Sequence, residues 1–307
     1  MKSLANCREW LKSLPETDGY LKEEQLIGRK LLYQKGMPSN KDEAWRLCNL
    51  NRLNSFLSLP IPNSPENYSS NLNCDYPEKE NTRKRIIIDS NKDPIKNIKL
   101  PKGIKQLSPK EIKNNLGRII RHSSRKDDIS VSLNQATSSK LLALKINNDA
   151  CESLEIIFPS IEKNSISTRI ILILEEGAKL DLLQIFLGNQ NSAQNHLIEI
   201  KLEPETELNH GLISMGKGAE SSSICTVAVE QSEKTKYSLN SLHYGWDYAR
   251  FEPRVIQTRG EASTHIKGLQ VTKSKEQIAT HSLIRFEGPN GKLDQLQKAV
   301  ASESSHC

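Results

Sequence analysis

Residues 168–186, "TRIILILEEGAKLDLLQIF", set one apolar run, the turn Glu175-Glu176-Gly177 and a second apolar run in a row. β-branched and leucine-rich runs of this length, bounded by turn residues, predict strands. The arrangement recurs downstream. Gly177, Pro204 in "LEPETELNHGLI", Ser232 in "EQSEKTKYSLNSL", Gly260 in "RGEASTHIKGLQV" and Gly288 in "FEGPNGKLDQL" follow one another at spacings of 27, 28, 28 and 28. Each marks a turn between two strands. A strand, a polar turn and a second strand per unit suit a solenoid, in which one coil cannot bury its own apolar face but a stack can. The competing arrangement is an antiparallel sandwich with evenly spaced hairpins. No Asn-Gly or Asp-Gly pair of a tight hairpin falls at these five positions, which favours the solenoid. These five residues are therefore expected at equivalent corners of successive coils.

Working outward, "RIIID" (85–89), "ISVSLNQATSSKLLALKI" (129–146) and "LEIIF" (154–158) also read as strands, and "LSPKEIKNNLGRII" (107–120) as a helix. Residues 1–58 read as a small helical region. Leu21, Leu26, Leu31 and Leu32 recur at near-helical spacing, and a second helix is expected to start within "GMPSNKDEAWRLCNL" (36–50) and run to about Leu50. There Pro38 and Ser39 supply start signals, Ser39 with Asp42 imitates a capping box, and Trp45 would anchor the helix to a core. Between these regions, residues 59–84 are rich in Pro, Asn, Ser and charge, and read as a linker or mobile loop. Residues 85–307 form the expected β core.

Lysine and arginine number 43 against 37 acids, a net charge of +6 spread along the chain rather than gathered in a basic arm. Aromatics make up only 5%, so stacking platforms for nucleic acid are scarce, and a nucleic-acid-binding module is disfavoured. A polysaccharide-acting β-helix enzyme would want a signal peptide and a groove with paired carboxylates, and neither is evident. No apolar stretch is long enough to span a bilayer, and the charged start predicts a cytoplasmic location. The six cysteines, Cys7, Cys48, Cys74, Cys151, Cys225 and Cys307, lie far apart without a CxxC pair and read as reduced thiols.

Catalytic patterns are thin. The sequence has no Gly-rich phosphate loop, no GxSxG and no HExxH. The histidines are scattered, although His210, His265 and His281 fall near similar phases of the repeat and would line one side of a stack, more as a hydrogen-bonded row than as metal ligands. Glu175, Glu176, Glu203, Glu205 and Glu207 fall at turns, where they are expected to face water. The residues thus predict no catalytic group and no metal site.

Taken in order, several segments resemble one family. "GMPSNKDEAWRLCNL" resembles the G-[LM]-P-x-x-K-[DE]-E-x-W segment near the N-terminus of the SufD family, a component of the SUF iron–sulfur cluster assembly machinery. "SLNQA" (132–136) is similar to its L-N-x-A site and "TRIILILEEGAKLDLLQ" to its strand followed by E-x-G-A. In "YGWDYARFEPRVIQTRGEASTHIKGLQV" (244–271), Gly245, Arg250, Val255, Gly260, Glu261, Ala262 and Gly268 occupy matching places, and "DQLQK" (294–298) is similar to Q-L-x-K. Phe286 and Leu293 depart from the family pattern, which suggests a divergent member.

The resemblance implies a right-handed parallel β-helix after a small helical N-terminal region. It implies a non-catalytic scaffold subunit that pairs with SufB and the SufC ATPase. The iron–sulfur cluster is assembled by the full complex, and no cofactor is bound tightly by this chain alone. It also implies a C-terminally truncated chain, because the family continues past Q-L-x-K with a C-x-H-G segment and terminal helices. His306 and Cys307 are not that pair, so no residue here inherits its role at the SufB–SufD interface.

Overall fold

The structure, a computed structural model, describes residues 4–16, 19–61, 83–88, 95, 98–123, 128–150 and 153–307. It is mainly β, a solenoid of about 6 turns with helices packed on one side. The front sheet stacks β1 (Arg83–Ile87), β4 (Ser153–Pro159), β6 (Lys179–Leu187), the first part of β8 (Glu207–Gln231), the first part of β9 (Lys236–Gln257), β10 (Ser263–Thr272) and β13 (Lys292–Ala301). The back sheet stacks β3 (Lys140–Ile146), β5 (Ser165–Leu174), β7 (Ser192–Leu202), the later parts of β8 and β9, then β11 (Gln277–Thr280) and β12 (Leu283–Phe286). All these pairings are parallel; among the described residues β2 (Ile104–Gln106) alone joins antiparallel, along β3.

Register explains the sequence period. Leu154 lies opposite Leu182, Leu182 opposite His210, and His210 opposite Leu239, so each coil returns to the same place after 28 or 29 residues. The predicted corners coincide with one edge of the stack. The Gly177 N–H donates to Pro204 O at 3.0 Å, Glu205 N to Glu233 O at 3.1 Å, and Lys234 N to Gly260 O at 3.4 Å. A Cβ on Gly288 would sit 2.3 Å from Gly260 N. The five marker residues share that edge, one or two positions out of strict register. Corners also collect the residues with left-handed backbone: Gly177 at φ 71°, Glu205 at 60°, Lys234 at 56° and Glu261 at 53°. Reversing a strand in so few residues requires that conformation.

Alternate strand residues point into the coil. Leu142, Leu144, Ile170, Leu172, Ile198, Ile200, Val227 and Val229 fill it from the back sheet, and Leu154, Ile156, Leu182 and Leu212 from the front. Along the back sheet the outward positions are also buried, because α2 (Lys22–Lys35), α5 (Arg118–Ser123) and α6 (Ile129–Thr137) belong to a helical layer that covers it. Burial on both faces accounts for the apolar run 170–174 that ends β5, and leaves β7 buried at all but one position although it carries Gln194, Asn195, His196 and Glu199.

Two local readings change. Residues 129–137 of "ISVSLNQATSSKLLALKI" form a helix, not a strand, with every residue buried. The Asp128 side chain accepts the Val131 N–H at 3.4 Å and starts it. In 36–50 no α-helix forms: the chain makes 3₁₀ turns at Glu43–Trp45 and Leu50–Leu53, ahead of α3 (Asn54–Ser58). Ser39 and Asp42 do bond as a cap would, Ser39 N to Asp42 Oδ2 at 2.6 Å. The groups a helix would use are spent elsewhere. Arg250 Nη1 takes the Ala44 carbonyl at 2.9 Å, and Gln277 bonds Asn49 N at 2.8 Å and Leu47 O at 2.9 Å. α2 forms where the leucine spacing places a helix; Leu32 is buried with Glu24, Gln25 and Gly28, while Leu26 is 59% exposed. Gly28 permits the contact, because a Cβ there would meet α6 backbone at 2.6 Å.

The helix expected in 107–120 forms as α4 (Pro109–Asn115) and α5, α4 with a full capping box between Ser108 and Glu111. Residues 62–82 of the predicted linker lie outside the described residues, and Arg83 and Lys84 already belong to β1.

Candidate functional site

Where the helical layer meets the back sheet, two buried charge clusters form. In the first, Glu24 on α2 accepts from Arg121 Nη1 at 2.5 Å, Gln135 Nε2 at 2.8 Å and Arg169 Nη1 at 3.3 Å. Arg169 also donates to Glu199 Oε2 at 2.6 Å. Glu199 accepts the Gly117 N–H at 2.9 Å and the Ile120 N–H at 3.1 Å, so its carboxylate caps α5 from the sheet. Asn134, in the middle of "SLNQA", donates to Thr168 O at 3.1 Å and Asn195 O at 2.9 Å. One amide thereby clips α6 across two coils.

The second cluster is built on "RFEPR". Residues at i, i+2 and i+4 of a strand share a face, so Arg250, Glu252 and Arg254 point together toward the helices. Arg250 Nε donates to Glu252 Oε1 at 2.5 Å, and Arg254 donates to Asp128 Oδ2 at 2.5 Å and to Glu252. Ser130 Oγ adds a bond to Glu252 at 3.0 Å. Trp45 lies over the Arg250 guanidinium, 4.1 Å from carbon to ring centroid. Burial pushes the Glu252 carboxyl up, but the Arg254 and Arg250 guanidinium groups outweigh it and hold it at about 2. Two guanidinium groups thus face two carboxylates. Above them lies a cleft of ≈ 860 Å³ lined by Trp45, Asp128, Arg250, Glu252, Arg254 and His281. A second cleft of ≈ 700 Å³, lined by Cys48, Arg52, Gln277, His281, His306 and Cys307, shares Glu43, Ala44 and His281 with it.

The histidines do not form the expected row. His210 points into the coil, His265 lies on the outer surface, 50% exposed and 3.7 Å from Asp294, and His281 follows β11 beside the two clefts. The coil interior instead collects His196, His210 and His243. His196 bonds Thr168 Oγ1 at 2.8 Å and His210 bonds Gln184 at 2.9 Å, while His243 packs on Phe251 with centroids 4.6 Å apart and leaves Nε2 without a partner. Desolvation lowers all three to about 3, so each is neutral at pH 7. Their position follows from ladder register, which the 28-residue spacing approximates but does not resolve to the residue.

The turn glutamates Glu175, Glu176 and Glu205 are exposed; Glu205 lies 3.7 Å from Lys234, and the half-buried Glu207 lies 3.9 Å from Lys179. Among the described residues, no group of three or more His, Cys, Asp and Glu could hold a metal ion. Of the described cysteines, Cys7, Cys48 and Cys225 are buried and Cys307 is exposed, all as free thiols. Every ionised group of the two seam clusters is engaged in fastening helix to coil. The signal that reveals the second cluster in sequence is the alternation of "RFEPR", with charges on alternate residues of a strand.

Residues 157–307 match the SUF system FeS cluster assembly SufBD core domain, which places that domain on the solenoid. The chain is a SufB/SufD-like family member. It is 19% identical to the iron–sulfur cluster assembly SufBD family protein slr0076 of Synechocystis, over 93% of this chain and 67% of that protein. It is 24% identical to the iron–sulfur cluster assembly protein SufD of Plasmodium berghei, over 48% of this chain and 11% of that protein. The family supports a role in FeS assembly. The seam residues Arg250 and Asn134, and the corner residue Gly260, are also the positions through which the sequence resembles it. Among the described residues no helix is long and apolar enough to cross a membrane.

Proposed function

We propose that the chain is a non-catalytic scaffold subunit of the SUF machinery, paired with SufB and the SufC ATPase, on which a nascent iron–sulfur cluster is built as cargo. The observation behind this reading is the SufBD core match across the solenoid. The seam chemistry agrees with it. Arg169, Arg250 and Arg254 are each neutralised by buried carboxylates, which suits a part that transmits mechanical load between helices and coils rather than one that moves protons. On this reading the subunit works in the cytoplasm, binds no nucleic acid and holds no cofactor tightly by itself.

The test is co-expression with SufB and SufC, affinity capture through SufC, and assay of an iron–sulfur enzyme in a strain lacking SufD. Joint capture with restored enzyme activity is expected. Failure of the chain to co-purify with either protein would overturn the reading.

A further inference from the structure

The front sheet has an outer surface that differs from the back. In the front-sheet parts of β8, β9 and β10, and at the start of β6, buried and more exposed residues alternate, and the outward positions include Leu183, Ile213, Leu242 and Leu269; Ile185 and Leu187 at the end of β6 are buried. Ladder pairing stacks Ile185, Ile213, Leu242 and Leu269 into one row and Leu187, Met215, Tyr244 and Val271 into the next. The band is thus two rows wide and runs along the stack at about 4.8 Å per coil. Toward β10 and β13 it is open: Leu269 is 37% exposed, Leu296 47% and Val300 56%.

In the row beside this band the surface is notched. Gly211 stands in the row of Leu183 and Asn240, and the missing side chain deepens a groove of ≈ 470 Å³ lined by Leu183, Ile213, Leu242, Leu269 and Leu296. Two lysines, Lys267 and Lys298, line the same groove, and neither has a carboxylate within ion-pair distance among the described residues. Contiguous apolar surface on a coil exterior marks a contact site. The back sheet shows how such a surface is covered, since α6 lies across β5, β7 and β8 with Ile129 and Leu133 buried.

We infer that the front-sheet groove is a docking surface for an amphipathic α-helix of a partner protein, one whose apolar stripe is edged by Asp or Glu. The stripe fits Leu183, Ile213, Leu242 and Leu269, and the carboxylates meet Lys267 and Lys298. One helical turn, about 5.4 Å, nearly matches the coil spacing, so successive apolar residues of a helix laid along the stack meet successive coils. The surface lies on the sheet opposite the helical seam and goes beyond the scaffold reading; either stands if the other fails.

The probe is a fluorescently labelled designed peptide of about four turns with a leucine stripe edged by glutamates, beside a twin edged by lysines. Anisotropy with the full chain is expected to show binding of the glutamate peptide, weakened by salt, and weaker binding of its twin. Leu269→Asp should cut affinity about tenfold or more. The double variant K267E/K298E should reverse the preference between the peptides, by about tenfold in their ratio. Both variants lie on exposed positions, and unchanged circular dichroism and melting confirm that they fold. Equal binding of the two peptides, binding unaffected by Leu269→Asp, displacement by a fatty acid in preference to the peptide, or self-association through this face would each overturn the assignment.

Discussion

The Arg250 guanidinium stacks on Trp45, 4.1 Å from the ring centroid, while its Nη1 holds the carbonyl of the neighbouring Ala44. A strand residue of the solenoid thereby fixes the fold of the N-terminal segment. Trp45 is buried, so Trp45→Ala should destabilise the chain by about 3–5 kcal/mol. Trp45→Phe keeps a ring over the cation and should cost clearly less. Urea unfolding monitored by far-ultraviolet circular dichroism measures both.

That contact also shows what sequence reasoning reaches. The 28-residue recurrence was legible because parallel coils must return in register, and each return needs a turn residue near the same corner, as Gly177 and Gly260 supply. Capping of α4 was legible because Ser108 and Glu111 are close in sequence. Residues 43–50 were not. Their backbone is shaped by Arg250 and Gln277, more than 200 residues away, and local propensity carries no trace of those bonds. α6 reads as a strand for a related reason: a helix buried on all sides shows no amphipathic period, and its β-branched Ile129 and Val131 mimic a strand. The seam was half legible. "RFEPR" displays one-sided charge on a strand, but nothing local says that Asp128 and Ser130 will cover it.

Glu199 joins three elements, accepting from Arg169 and from the N–H groups of Gly117 and Ile120. Glu199→Ala would leave a buried guanidinium half paired and two amides without acceptors, and should cost about 3–5 kcal/mol. Glu199→Gln retains one acceptor oxygen and should recover part of that. Hydrogen exchange offers a local readout: protection at Gly117 and Ile120 should fall in the alanine variant before protection in β7 does.

Acid should unfold this protein in two stages. The buried His196, His210 and His243 have folded values lowered from 6.5 to about 3. Unfolded chains therefore bind more protons as pH falls from about 6.5 to about 3, and each histidine removes about 1.4 kcal/mol of stability per pH unit in that window. Glu252, lowered from 4.5 to about 2, contributes stability that is whole above 4.5 and lost as pH falls toward 2. The melting temperature should be flat between about pH 7 and pH 8, decline from pH 6.5 and drop more steeply below 4.5. A melting temperature unchanged between pH 7 and pH 5 would contradict the burial of the histidines.

His243 sharpens that test. Its Nε2 is buried without a partner, and its ring is pressed against Phe251. His243→Leu removes an unsatisfied polar atom as well as a proton-binding site, so the variant should be at least as stable as the parent at pH 7. At pH 5 it should exceed the parent by about 2 kcal/mol, because one histidine fewer draws protons to the unfolded state. His210→Leu provides the contrast. It removes the same titration but orphans Gln184 and Tyr237, which bond the His210 ring at 2.9 and 3.1 Å, and should be less stable than the parent at pH 7 while sharing the shallower decline in acid. Thermal melts of the two variants across pH 5–8 separate the cost of the buried ring from the work of protonating it.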